Sequence, residues 1–220
     1  MKTKDKSMIS QVLVGIACVL ASFSAPAAEL APDALAKKTT QEVLAIIKQD
    51  KDIQAGNQKR LLDLVDAKVL PHFEFSRMAM LAVGKNWNRA TPVQQQALVK
   101  EFRTLLVRTY SSSLSAYKNQ TIDFKPLSMQ PGDTDVTVKT EIEQPGGKPI
   151  PIDYSMEKMP NGWKVYDVTV DGVSLVTNYR NSFSTEIRKS GIDGLIQILA
   201  DKNQQAVNGQ NGNSPAAPKK

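Results

Sequence analysis

With one histidine, His72, and one cysteine, Cys18, in 220 residues, the chain lacks the raw material of most familiar catalytic sites. A Ser-His-Asp arrangement has a single candidate base, and a zinc site built from Cys and His has no ligand set. No Gly-x-Gly-x-x-Gly or phosphate-loop pattern occurs, so nucleotide binding has no support. Long hydrophobic runs are missing too. The run Met8–Ala21, interrupted by Ser10 and Gln11, falls short of the roughly 20 residues that span a bilayer. Nor is there a strong excess of one charge. A formal net charge of +6, scattered along the chain, does not make a nucleic-acid binder.

What is present at the start reads as a secretory leader. Lys2, Lys4 and Lys6 precede the apolar run, and Ala25-Pro26-Ala27 supplies small residues for cleavage after Ala27 or Ala28. Lipoprotein processing at Cys18 fits less well, because Gly15 sits where such sites prefer Leu and Val19-Leu20 would follow the modified cysteine. Cleavage would remove Cys18 and leave a chain without thiols, which excludes disulfides. The expected organisation is a leader at 1–28, one domain at 29–200, and a disordered polar tail at 201–220, rich in Asn, Gln, Gly and Pro. An apolar content of 41% suffices for one core.

The domain changes period midway. Helical spacing predicts helices over 33–50, over 58–70 up to Pro71, and over 75–83 closed by Gly84. Thr91, Pro92 and Gln94 form a capping box that opens a long helix, with an apolar face from Ala97 through Phe102, Leu106 and Tyr110 to Tyr117. After Asn119 the pattern alternates, which predicts a meander of about four strands: Ile122–Pro126, Asp135–Glu143, Ile150–Met156 and Trp163–Val170. Pro149 and Pro151 predict that the third strand lies at an edge or turns its amide side outward at that end. In the last strand strict alternation puts Trp163, Val165 and Asp167 on one face and Tyr166, Val168 and Val170 on the other, so both faces read as largely apolar. Asp171-Gly172 then turns the chain, Ser174 serves as an N-cap, and Leu175, Tyr179, Phe183 and Ile187 line one face of a final helix. The fold class is α+β, with N-terminal and C-terminal helices packed on an antiparallel sheet.

The stretch Gly162–Phe183, GWKVYDVTVDGVSLVTNYRNSF, together with SGIDGL at Ser190–Leu195, resembles the C-terminal part of the MlaC family, the toluene-tolerance type of periplasmic phospholipid-binding protein. Upstream, Gly84-x-x-Trp87, Ala90-Thr91-Pro92-x-x-Gln95 and Phe102 through Tyr110 resemble the same family's helical region. The likeness runs in register from about Asp33 to Ala200. It implies a periplasmic carrier that shuttles phospholipid between the outer and inner membranes and so maintains outer-membrane lipid asymmetry. Its partners would be an inner-membrane ABC transporter with a periplasmic substrate-binding ring and an outer-membrane lipoprotein-porin complex. The carrier itself would be a monomer without enzymatic activity, and it would hold no cofactor beyond its lipid cargo.

On that reading the apolar walls enclose acyl chains. The candidate lining is Phe102, Leu106 and Tyr110 from the long helix, Val136, Val138, Ile152, Tyr154, Met156, Trp163, Val165, Tyr166, Val168 and Val170 from the sheet, and Leu175 and Tyr179 from the last helix. From periodicity alone the same stripes read first as an ordinary filled core, which is what a periplasmic scaffold or chaperone would have, and it is the resemblance that favours a pocket. A small hydrolase is the third reading, with His72 as its main candidate. Asp167, the one carboxylate in an apolar strand, reads as a structural acceptor near the Asp171-Gly172 turn. Lys85, Arg89 and Lys164 lie near turns and strand ends, as solvated charges or as contacts for a phosphate or an acidic partner surface.

Overall fold

Helix starts follow the capping residues. The computed structural model describes residues 29–115, 120–144 and 146–207. Helix α1 (Pro32–Gln49) begins on a proline. The one-turn helix α2 (Lys51–Gln54) is capped by Asp50, and α3 (Gln58–Lys68) by the Asn57 side chain, which accepts from the Arg60 amide at 3.0 Å. Helix α4 (Phe75–Val83) ends at Gly84, whose φ of 62° and ψ of −135° suit a residue without a Cβ. The predicted capping box opens α5 (Pro92–Ser115): the Thr91 amide donates to Gln94 Oε1 at 2.9 Å and the Gln94 amide to Thr91 Oγ1 at 3.3 Å.

The sheet is an antiparallel meander in the order β1 (Thr121–Phe124), β2 (Asp135–Glu143), β3 (Ile150–Met159), β4 (Gly162–Val170), β5 (Val173–Ser174). The fifth strand has two residues and hairpins back from β4 through Asp171-Gly172, whose φ values of 50° and 79° are those of a primed turn. Helix α6 (Leu175–Val207) follows at once and is broken at Gly191, where φ is 75° and ψ −177°.

Strand β3 pairs on both sides, so of the two arrangements its prolines allowed it is not an edge. Instead the amide side turns out of the ladder at that end: the Pro151 carbonyl, and therefore its ring nitrogen, points toward the Asp171 end of β4, where the ladder stops at Val170. A correction concerns the faces of β4. The β3–β4 register shifts between Ser155 and Met156: Ser155 sits opposite Asp167, while Met156 sits opposite Val165. Tyr166 is therefore the extra residue of a bulge, and strict alternation fails there. Trp163 and Val165 before the bulge and Val168 and Val170 after it share one face with Met156, Tyr154 and Ile152, whereas Asp167 and Thr169 take the other.

Most of the buried apolar residues fall into three groups. Helices α4, α5 and α6 pack into one, with Met78, Phe102, Leu106, Tyr179, Phe183 and Leu195 among its members. Helices α1, α2 and α3 form a second around Val43, Ile47, Ile53, Leu61 and Leu64. The third is the apolar face of the sheet: Val136, Val138, Met156, Trp163 and Val165, packed against Leu35, Ala36, Phe73, Phe124 and Leu127. The segment before α4 docks on the sheet through the Glu74 amide, which donates to the Val165 carbonyl at 2.8 Å.

At the C-terminal end, residues 201–207 continue α6, which amends the reading of a disordered tail for that stretch. Asn203 anchors it, donating from Nδ2 to the Glu101 carbonyl at 3.0 Å and to Glu101 Oε2 at 2.9 Å. The expected leader with Cys18, Tyr117 of the expected helical face and the tail beyond Val207 lie outside the described residues.

Candidate functional site

Nine of the fifteen candidate lining residues come together on one surface. Val136 and Val138 on β2, Ile152, Tyr154 and Met156 on β3, and Trp163, Val165, Val168 and Val170 on β4 face the same way, a consequence of strand pairing plus the bulge. This surface is filled at one end only. Around Val136, Met156, Trp163 and Val165 the side chains are buried under Leu35, Ala36, Phe73 and Leu127. Toward the β4–β5 turn, Ile142, Ile150, Ile152 and Val170 keep part of their surface accessible and belong to none of the three packed groups. An apolar residue ordinarily buries itself against a neighbour, so this half of the face, the trough, is left partly uncovered among the described residues.

Tyr154 stands between the two halves, packed against the buried group of the sheet. Burial pushes its phenol above the usual range, with a hydrogen bond to the Thr140 hydroxyl working the other way. Thr140 beside it is 1% exposed, and its hydroxyl donates to the Ile152 carbonyl at 2.8 Å, so the one buried polar side chain on this face has a partner. At the filled end an open cleft of about 410 Å³ adjoins the sheet at Trp163, with Leu30, Met129 and Lys158 on its rim.

The remaining candidates lie elsewhere, and these expectations are corrected. Phe102, Leu106 and Tyr179 do not face the sheet. Phe102 is 1% exposed and meets Tyr179 and Phe183 edge-on, each with ring centroids 5.2 Å away. The long helix α5 spends its apolar face on α4 and α6, so it packs in the helical layer and does not wall the sheet. Tyr110 borders the same group, and burial raises its phenol pKa. Leu175 is buried at the first position of α6. Tyr166, the bulge residue, belongs to the polar side of the sheet. The Arg77 guanidinium lies 3.5 Å from its ring centroid, and its hydroxyl donates to Asp135 Oδ1 at 2.7 Å. Arg77 also pairs with Asp135 at 2.9 Å and with Glu157 at 2.5 Å. Burial disfavours the Arg77 charge, but these two hydrogen bonds more than offset it and raise its pKa.

Periodicity does not mark Leu35, Ala36, Phe73 or Leu127 as sheet partners. The first two sit on a helix whose stripe reads as facing other helices, and the last two lie in loops where no period applies. Asp167 holds its expected structural place. Its Oδ1 accepts from the Val168 amide at 2.8 Å and the Val176 amide at 3.1 Å, and its Oδ2 from the Ser174 hydroxyl at 2.5 Å.

His72 has no side-chain hydrogen bond among the described residues. It ends a 3-10 turn, where burial and the Lys164 ammonium hold its imidazole below the usual range. The unfolded chain then binds a proton more readily than the folded one. Stability is expected to be full above about pH 6.5 and to fall as the pH drops through the lower, folded-state value. Urea midpoints compared at about pH 7 and about pH 5 check this, and His72→Gln should flatten the His-dependent part of the difference. Of the other cations named from sequence, Lys164 donates to the Pro71 carbonyl at 2.6 Å and so fastens the turn to β4.

Comparison with known proteins gives the same direction. The sequence profile of the MlaC protein family matches residues 37–201. The toluene tolerance protein ttg2D of Pseudomonas putida is 26% identical over 209 residues, covering 91% of this chain and 97% of its own length. The intermembrane phospholipid transport system binding protein MlaC of Haemophilus influenzae is 22% identical over 183 residues, covering 82% and 86%. Among solved structures, a phospholipid-binding protein from Ralstonia solanacearum in complex with a phospholipid superposes with a TM-score of 0.74 at 41% identity, covering 80% of this chain and 98% of that one.

Proposed function

The chain belongs to the MlaC family, and from that premise we propose that it is a phospholipid carrier whose acyl chains lie along the open half of the sheet. The supporting observation is the unevenly covered apolar face: Ile142, Ile150, Ile152 and Val170 share a surface with a packed core group, belong to none of the packed groups and stay only half-buried. Two acyl chains of about 30 methylenes in total, at roughly 0.8 kcal/mol each, would cost on the order of 25 kcal/mol to leave in water. Free transit between membranes is negligible on that scale, and an apolar trough of matching chemistry removes most of the penalty. Few fixed polar contacts are needed, which suits a cargo that must be released again. The relative solved with a phospholipid bound covers most of this chain and supports the same ligand class.

The setting follows the family. The carrier works in the periplasm after loss of its leader, between an outer-membrane lipoprotein-porin complex and an inner-membrane ABC transporter with its substrate-binding ring, and it performs no chemistry on the lipid. The alternative, a scaffold with a filled core, predicts a lipid-free protein.

Extraction of the protein purified from cells, followed by mass spectrometry, is expected to find phospholipid, and the protein is expected to move lipid between vesicles. A lipid-free preparation that transfers nothing would sink the proposal. Val170→Trp should lower the lipid load several-fold while leaving the urea midpoint nearly unchanged. In a solid core the same change would overpack and cost about 1–3 kcal/mol.

A further inference from the structure

On the helical side of the molecule, away from the trough, a second cleft of about 240 Å³ lies where two stretches that carry the family resemblance meet. The 3-10 segment Gly84–Arg89 contributes Asn86 and Arg89, the capping box of α5 contributes Gln94, and α6 contributes Arg188, Gly191 and Ile192. Neither arginine has a carboxylate partner among the described residues. Arg89 reaches only Asn86 Oδ1, at 3.5 Å, and Arg188 only the hydroxyls of Ser184 and Thr185. Asp193, the nearby carboxylate on α6, is held by the Gln94 side-chain amide at 2.8 Å and is not part of the lining.

Two further features converge on the same space. The break at Gly191 starts a new helical stretch, whose first turn leaves amide groups free and carries positive partial charge. Asn86 is 5% exposed, its Nδ2 donates to nothing among the described residues, and that nitrogen is not among the fully occluded side-chain atoms without a partner. Its donors therefore keep accessible surface beside the cleft and can serve an acceptor that enters it.

We propose that this cleft is a binding site for a phosphate-class oxyanion, separate from the acyl-chain trough. The donors explain the choice of ion. They come from three segments of backbone and include two guanidiniums, one carboxamide and the amides after Gly191, so they border the cleft from more than one side. A tetrahedral anion offers oxygens in several directions, whereas a carboxylate offers two in one plane. The phosphate of a lipid headgroup and free phosphate share this chemistry.

The test uses the full isotope-labelled chain at constant ionic strength. Inorganic phosphate at millimolar concentration is expected to produce saturable shifts of the Asn86 side-chain amide and the Gly191 and Ile192 amides, weakened about tenfold or more in Arg188→Gln and in Arg89→Gln. Arg188 is exposed, so its variant stays folded if Arg89→Gln does not. If sn-glycerol 3-phosphate and phosphatidylglycerol vesicles shift the same amides, and Arg188→Gln weakens both, the source is a headgroup. Shifts with inorganic phosphate alone assign a free ion. Absence of saturable shifts with every phosphate probe, equal binding of acetate, or unchanged binding in Arg188→Gln overturns the proposal. Phospholipid recovered from Arg188→Gln should equal that of the wild type. A fall would show the two sites to be one, while failure of the carrier reading would leave these shifts untouched.

Discussion

Asp167→Ala is expected to destabilise the protein by about 3 kcal/mol, because one carboxylate joins the end of β4 to the start of α6. It accepts from two backbone amides and one hydroxyl, and hydrogen bonds to a charged group contribute about 1.5–3 kcal/mol each without adding fully. Removing it strands the Val176 amide at the helix start and frees Ser174, which itself caps α6 by accepting from the Thr177 amide at 3.0 Å. The amide isostere separates these contributions. Asp167→Asn keeps the oxygen that serves both backbone amides and loses the Ser174 contact, so more than half of the loss should be recovered. Urea denaturation of the two variants and of Ser174→Ala forms the cycle. Equal midpoints for Asp167→Ala and the wild type would show that α6 holds its position through packing alone.

Phe102→Ala should have the larger effect, about 3–5 kcal/mol. The ring is 1% exposed and touches Tyr179 and Phe183 edge-on, so its removal leaves a cavity between α5 and α6 that neither helix can close without giving up its other contacts. At about 2–4 °C per kcal/mol for a chain of this size, the melting temperature falls by about 6–20 °C. The same variant separates two roles that periodicity could not. A trough residue would lower lipid load per folded molecule. Phe102 fills the helical layer, so the folded fraction should carry its normal load while Val170→Trp shows the reverse pattern, intact stability and reduced cargo. A melting temperature unchanged by Phe102→Ala would contradict the packing described for α5 and α6.

The contrast between those residues shows where reading by pattern stops. Leu61, Phe102 and Val138 are all buried as their stripes require, yet they belong to three different packed groups. Helical spacing identifies the face of an element that leaves water, and it is silent about which neighbour receives that face. For α5 the receiver is α6 and α4, and for the sheet it is α1 together with loop residues Phe73 and Leu127. Tyr166 failed for a different reason. One added residue in β4 reverses the facing of everything after it, and nothing in YDVTV signals that addition, because the bulge exists only through the partner strand's register.

Local chemistry carried the parts of the fold that local chemistry controls. The Thr91-Gln94 box, the stop at Gly84, the Asp171-Gly172 turn and the Ser174 cap involve residues within a few positions of one another, and each stands where the chain alone implied. The near absence of histidine and cysteine, the meander and the family likeness were equally legible. Tertiary structure alone decided that the sheet keeps one apolar face, that this face is packed at Trp163 and open at Ile152, and that Asn86, Arg89 and Arg188 meet across about a hundred residues of chain. The physical reason is that burial depends on what stands opposite a side chain, and the opposing group is set by how whole elements dock, a choice no stretch of sequence makes for itself.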